Sequence, residues 1–61
     1  MNEKRLITYH DKHCIIILKN RLKYEGIILK IFNDSLIIKD RIGDIEIAID
    51  SISLITEVKN D

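Results

Sequence analysis

Side chains able to hold a metal cluster in one short stretch, His10-Asp11-Lys12-His13-Cys14. On a helix, His10, His13 and Cys14 would share a face and could meet a soft divalent cation. A strand that begins at Cys14 breaks that geometry, and a buried cysteine ordinarily behaves as a small hydrophobe. The expectation is therefore no metal. Asp44 and Glu46 are close in sequence, but they stand in a turn and a strand where nothing raises the pKa of one above the other. No nucleophile and base pair, and no glycine-rich loop able to cradle a phosphate, is present. With 61 residues there is little mass to enclose a pocket. The expectation is a protein that is not an enzyme, with no catalytic residue, no cofactor and no small-molecule substrate.

The elements that must carry any binding surface are mostly strands. Fifteen residues are Ile, six are Leu and one is Val, with no Pro and only Gly26 and Gly43. Stiff β-branched side chains fit a pleated sheet better than a helix. Residues 2–12 are the one helix candidate, with Asn2 as cap, Glu3 in the first turn, and Leu6, Tyr9 and His10 on a common face. So short a helix must dock on something to persist. Cys14 to Leu18 is an unbroken apolar strand, which suggests burial on both faces, and Asn20-Arg21 is a tight turn. Leu22 to Phe32 is long for one strand and holds Gly26 near its middle, where a bend or a close backbone approach is expected. Asn33-Asp34-Ser35 is a turn, Leu36-Ile37-Ile38 a short strand, and Asp40 to Asp44 a turn with Gly43. Ile45, Ile47 and Ile49 alternate with Glu46 and Ala48, and residues 51–58 close the chain, leaving 59–61 as a polar end. The prediction is one domain over 1–61, mostly β, with a short helix at about 2–12 and a strongly bent five-stranded barrel at about 14–58.

Ten Lys plus Arg balance ten Asp plus Glu, so the formal net charge is zero. The total lacks the basic excess of many small nucleic-acid binders. By position it is a cancellation: residues 1–31 carry seven cationic and three anionic side chains, residues 32–61 the reverse. A chain this short is marginal alone, and one cysteine excludes an internal disulfide, so self-association is expected. The lone cysteine suits a reducing compartment, no apolar run approaches a membrane span, and the N-terminus lacks a signal-peptide core. The expected setting is cytoplasmic, with no membrane partner.

This layout resembles the Sm-like family, the fold of Sm, LSm and bacterial Hfq proteins, over roughly residues 2–58. The matching residues are Ile15-Ile16-Ile17-Leu18-Lys19-Asn20, then Leu22, Gly26 and Ile28, then Leu36-Ile37-Ile38-Lys39-Asp40. The second motif is similar through Ile47-Ala48-Ile49-Asp50-Ser51-Ile52-Ser53-Leu54-Ile55, and the spacing from Gly26 to Asp50 is like that of Hfq. The resemblance implies an SH3-like barrel that assembles into hexameric or heptameric rings, the fourth strand of one subunit pairing with the fifth of the next. It also implies single-stranded RNA as the partner.

The family's pore-side RNA residues are changed here. Phe32 stands where the family places an Asp, Leu36 where it places an Asn, and Asp34 where Hfq stacks an aromatic. Asn33 could replace the Hfq amide. Ala48, Ile49 and Asp50 stand where Hfq has Tyr, Lys and His. A ring would then have an acidic pore lined by Asp34 and Asp50, unsuited to phosphate; Asp50 can equally be a turn residue that caps the Ser51 backbone. The second RNA face of Hfq corresponds here to Ile17, Leu22 and Tyr24. Lys19, Arg21 and Lys23 lie beside them, and cations interleaved with an aromatic suit a single strand. The same residues also fit a solvated turn and a tyrosine that covers the barrel. Two functions therefore stand open: an RNA-binding ring using Lys19, Arg21, Lys23, Tyr24, Ile17, Leu22 and Asn33, or a protein-assembly module that kept the ring and lost the RNA pockets. A small barrel that docks on a protein or ribosomal partner is a third.

Overall fold

The computed structural model describes residues 3–59. Five strands form one antiparallel sheet: β1 (His13–Leu18), β2 (Lys23–Ile31), β3 (Ser35–Lys39), β4 (Asp44–Ala48) and β5 (Ile52–Glu57), in the order β4-β3-β2-β1-β5. A helix, α1 (Glu3–Ile7), precedes them, and a 3₁₀ turn, Ile49–Ser51, joins β4 to β5. The mostly-β expectation is met. The sheet is open, because β4 pairs only with β3 and β5 only with β1.

Alternation along the strands builds the core on one face. Cys14 and Ile16 of β1, Ile28 of β2, Leu36 and Ile38 of β3, Ile47 of β4, and Ile52 and Ile55 of β5 are buried with Leu6 and Ile49. Each such aliphatic side chain removed from water contributes about 1.5–3 kcal/mol. Among the described residues no polar or charged side chain is buried. The apolar run of β1 is buried on one face only: Cys14 and Ile16 point inward, while Ile15 and Ile17 are half-buried on the outside. There Ile15 faces Glu25 and Thr56, and Ile17 faces Lys23 and Leu54.

The helix is shorter than its predicted span of 2–12, and Asn2, its expected cap, lies outside the described residues. It stops at Ile7 because the next bonds tighten: the Tyr9 amide donates to the Leu6 carbonyl and the His10 amide to that of Ile7. The Thr8 hydroxyl also donates to the Arg5 carbonyl, competing with a further helical turn. Asp11 then takes a left-handed φ of 63° and redirects the chain. Its amide donates to the Ile28 carbonyl, and the Ile28 amide donates to the Lys12 carbonyl, so residues 11–12 already extend the β1–β2 ladder. Of the expected shared face, Leu6 is buried and Tyr9 half-buried. His10 is exposed, with its imidazole Nε2 donating to the Leu29 carbonyl at 3.0 Å. That carbonyl belongs to a bulge in β2, where the pairing with β3 shifts between Ile28 and Lys30.

Gly26 has the close approach expected of it. A Cβ there would collide with the Lys39 carbonyl oxygen and come within 2.7 Å of the Lys39 carbonyl carbon and 3.2 Å of the Asp40 Cα. All three are backbone atoms, so relief requires β3 to move. The 3₁₀ turn at 49–51 interrupts the alternation predicted to run through Ile49. The Ile49 amide donates to the Asp34 carbonyl at 2.9 Å, and the Ser51 carbonyl accepts from the Lys19 amide at 2.8 Å. The turn therefore bridges the loops at the two ends of β2.

Gly26→Ala is expected to cost about 1–3 kcal/mol, the range for forcing a methyl into a packed site. Urea unfolding of the two proteins checks this, with circular dichroism as the readout. Equal midpoints would mean that the backbone approach is not tight.

Candidate nucleic-acid interface

The β1–β2 hairpin is built around one strained residue. The Leu18 amide donates to the Leu22 carbonyl at 2.8 Å, and the Arg21 amide donates back to the Leu18 carbonyl at 2.9 Å. The Asn20 side chain accepts from the Leu22 amide at 3.1 Å, an Asx turn. Closing so tight a loop puts Arg21 at φ 73°. Glycine or asparagine occupies that region at little cost, whereas a long side chain there costs about 1–2 kcal/mol. Lys19, Arg21, Leu22 and Lys23 are all exposed. Lys19, Arg21 and Lys23 have no carboxylate within ion-pair distance among the described residues.

The other expected members divide between two faces. Ile17 and Lys23 are directly paired and point outward, with Leu54 beside Ile17. Tyr24 is paired with Ile16 and points inward, half-buried against the core. Tyr24 therefore does not share a face with Lys23. A base could meet only its uncovered part. Asn33 is exposed in the β2–β3 turn, across the 3₁₀ turn from the basic hairpin, next to a Phe32 that is 45% exposed.

The carboxylates of this end are also placed by the 3₁₀ turn. Asp34 and Asp50 are both exposed. Asp50 makes no capping hydrogen bond; the Ser51 hydroxyl instead donates to the Ala48 carbonyl at 2.7 Å. Because Ser51 bonds to Lys19 and Ile49 to Asp34, Asp50 stands between the basic hairpin and the acidic turn. The basic and acidic halves of the sequence thus meet at this end.

The His10 to Cys14 cluster is dispersed. His10 turns to Leu29, His13 Nε2 lies 3.0 Å from Glu25 Oε2, and Cys14 is buried in β1. No group of three His, Cys, Asp or Glu among the described residues is arranged to hold a metal ion. Burial pushes the Cys14 thiol above its usual 9.0; the nearby Glu57 carboxylate adds to the rise and Lys12 opposes it. No helix among the described residues is long and apolar enough to cross a membrane. In comparisons with known proteins, no family model, no curated protein and no solved structure matched this chain.

Two features escape a reading of the sequence. The left-handed Arg21 is one; an asparagine followed by a residue that needs positive φ, where glycine is usual, was the available signal. The bridging role of residues 49–51 is the other, and no local pattern announces it.

The raised thiol pKa fixes a sign. The folded state holds the Cys14 proton more tightly than the unfolded chain, so this contribution is complete below the unfolded value and is lost as pH rises through the folded one. In the window that opens as pH rises through the ordinary thiol value of 9.0, the native protein should therefore lose more stability than Cys14→Ala does. Urea midpoints of both proteins across that window test this, and parallel slopes would contradict it.

Proposed function

We propose that this chain is an Sm-like ring protein that binds single-stranded RNA without catalysis, through the hairpin carrying Lys19, Arg21 and Lys23. One observation carries the assembly half: the two edge strands of the sheet, β4 and β5, are each paired on one side only and are joined by only three residues. Apolar edges without proline or inward charge are templates for another chain. Head-to-tail pairing of β4 with β5 of a neighbour leaves no edge free once a ring closes. On this reading the edges complete in hexamers or heptamers the surface burial that a chain this small lacks alone.

The RNA half is supported by Arg21. A residue held in a costly conformation where glycine would relax the turn points to a use for its side chain. Exposed cations on a fixed turn serve phosphates. Ile17 and Leu22 supply aliphatic surface at the same place, and Tyr24 contributes only its uncovered edge. Asn33 belongs to the neighbouring turn, where Asp34 and Asp50 disfavour phosphate. Those two carboxylates favour the second reading, a protein-assembly ring, if no oligonucleotide binds.

Sedimentation velocity at micromolar concentration should show a closed oligomer. Leu54→Asp should shift it to monomer, because Leu54 is 51% exposed on the β5 edge and cross-strand pairs of like charge or lost apolar contact weaken pairing. A native chain sedimenting as monomer would refute the ring.

Arg21→Gly should raise stability by about 0.5–1 kcal/mol while weakening binding of labelled oligo-A and oligo-U. It should also reduce the slope of log K against log salt by about 0.7, the contribution of one phosphate contact to a single strand. Fluorescence anisotropy at several salt concentrations reads both. Unchanged affinity, or affinity that ignores salt, would remove the RNA assignment and leave the assembly module.

A further inference from the structure

The end of the molecule that holds the β1–β2 hairpin carries unpaired charge of both signs. Lys19, Arg21 and Lys23 stand on the hairpin, Asp34 on the β2–β3 turn, and Asp50 on the 3₁₀ turn between them. Glu46 extends the anionic side, where its carboxylate accepts from the Ser35 hydroxyl at 2.8 Å. Lys30 lies on that side too, one strand removed from Glu46, with Ile37 between them in the register. Among the described residues no cation of the hairpin reaches any of the three carboxylates within ion-pair distance. Opposite charges thus lie at one end of one chain without closing on each other.

The geometry that keeps them apart is fixed. The Lys19 amide donates to the Ser51 carbonyl at 2.8 Å and the Ile49 amide to the Asp34 carbonyl at 2.9 Å, so the 3₁₀ turn spaces the two loops. The Asn20 side chain closes the hairpin, and the Phe32 amide closes the other loop by donating to the Ser35 carbonyl at 2.7 Å. Each loop also presents one large apolar side chain. Leu22, 52% exposed, stands beside the cations, and Phe32, 45% exposed, stands near Asp34. Loops held in this way lose little freedom when they are covered.

A partner of one charge sign matches half of this end and is repelled by the other half. A copy of the chain matches both halves when it is turned by a two-fold rotation about an axis through the 3₁₀ turn. The hairpin of each copy then faces the β2–β3 turn of the other, and every contact is made twice. We propose that this end is a self-complementary contact between two copies, with Lys19 and Arg21 of one on Asp34 and Glu46 of the other, and Leu22 against Phe32. Asp50 lies near the axis and faces its own copy, a like-charge contact that opposes the rest. The contact uses neither sheet edge, so it rests neither on ring assembly nor on RNA binding, which it would oppose by covering Arg21.

The test is sedimentation equilibrium of the full chain at about 0.1–1 mM, in about 20 mM and about 0.5 M salt, where charges are screened beyond about 20 Å and about 4 Å. In low salt the mass should rise above that of the species present at micromolar concentration, whether that species is one chain or a ring. In high salt it should fall back. Arg21→Glu and Asp34→Lys should each abolish the rise. An equimolar mixture of the two variants should restore it, because one of the paired contacts then joins the reversed charges and the other the native ones. Asp50→Asn should bring the rise to lower concentration. All three side chains are exposed, so the thermal melts of the variants check that each is folded. No rise in the native chain, a rise indifferent to salt, a mixture that fails to restore it, or a weaker contact in Asp50→Asn would overturn the proposal. A rise that survives Asp34→Lys but not Arg21→Glu would put the cations on another surface and overturn it as well.

Discussion

Three residues, Ile49 to Ser51, hold the two ends of β2 together, and the shape of the molecule follows from that tether. A straight strand of nine residues is about 30 Å long at about 3.3 Å per residue. Three residues span at most about 10 Å. Yet the Ile49 amide is bonded just beyond one end of β2, at Asp34, and the Ser51 carbonyl just before the other, at Lys19. Both bonds can form only if β2 is sharply bent. The bend has two means: Gly26, whose missing side chain admits the backbone of Lys39 and Asp40, and the bulge at Leu29, which takes up the change of register. The bulge carbonyl in turn anchors His10 and the segment after α1.

The same tether decides what is inside and what is left unpaired. Bending β2 wraps the inward faces of all five strands around Ile16, Ile28, Leu36 and Ile38, and Leu6 of α1 joins that core. The tether also carries the chain from one sheet edge to the other without pairing them, so β4 and β5 keep free backbone groups. A small core and two open edges are one condition seen from two sides. The fold has covered what one chain can cover, and the remainder is available to another chain.

Charge is organised by the tether as well. The halves of the sequence carry net charges of opposite sign, and a reading along the chain assigns them to separate surfaces. In three dimensions the 3₁₀ turn brings Asp50 between the hairpin of Lys19 and Arg21 and the turn of Asp34. The cations of the hairpin therefore lie beside a carboxylate, with Arg21 projected from its left-handed turn. Lys39 and Arg41, on the β3–β4 turn, also stand beside carboxylates: Asp44 is paired with Lys39 across the ladder, and Asp40 precedes Arg41 while accepting from two backbone amides.

Local chemistry was readable before folding. Isoleucine content and alternation determined strands, with β3 and β4 within a residue or two of their expected limits, because burial of every second side chain is a property of the strand itself. Gly26 and the turns at 33–35 and 40–44 were readable for the same reason: backbone freedom and short polar side chains act over a few residues. Tertiary structure alone decided the rest. It cut the helix at Ile7, since Asp11 and Lys12 join the β1–β2 ladder through Ile28. It turned the Tyr24 face of β2 inward and the Lys23 face outward, a choice that strand parity by itself leaves open. It separated His10, His13 and Cys14, and it made Ile49–Ser51 a strut. Each of these is set by a partner distant in sequence, and a hydrogen bond or contact with such a partner exists only once the sheet has bent.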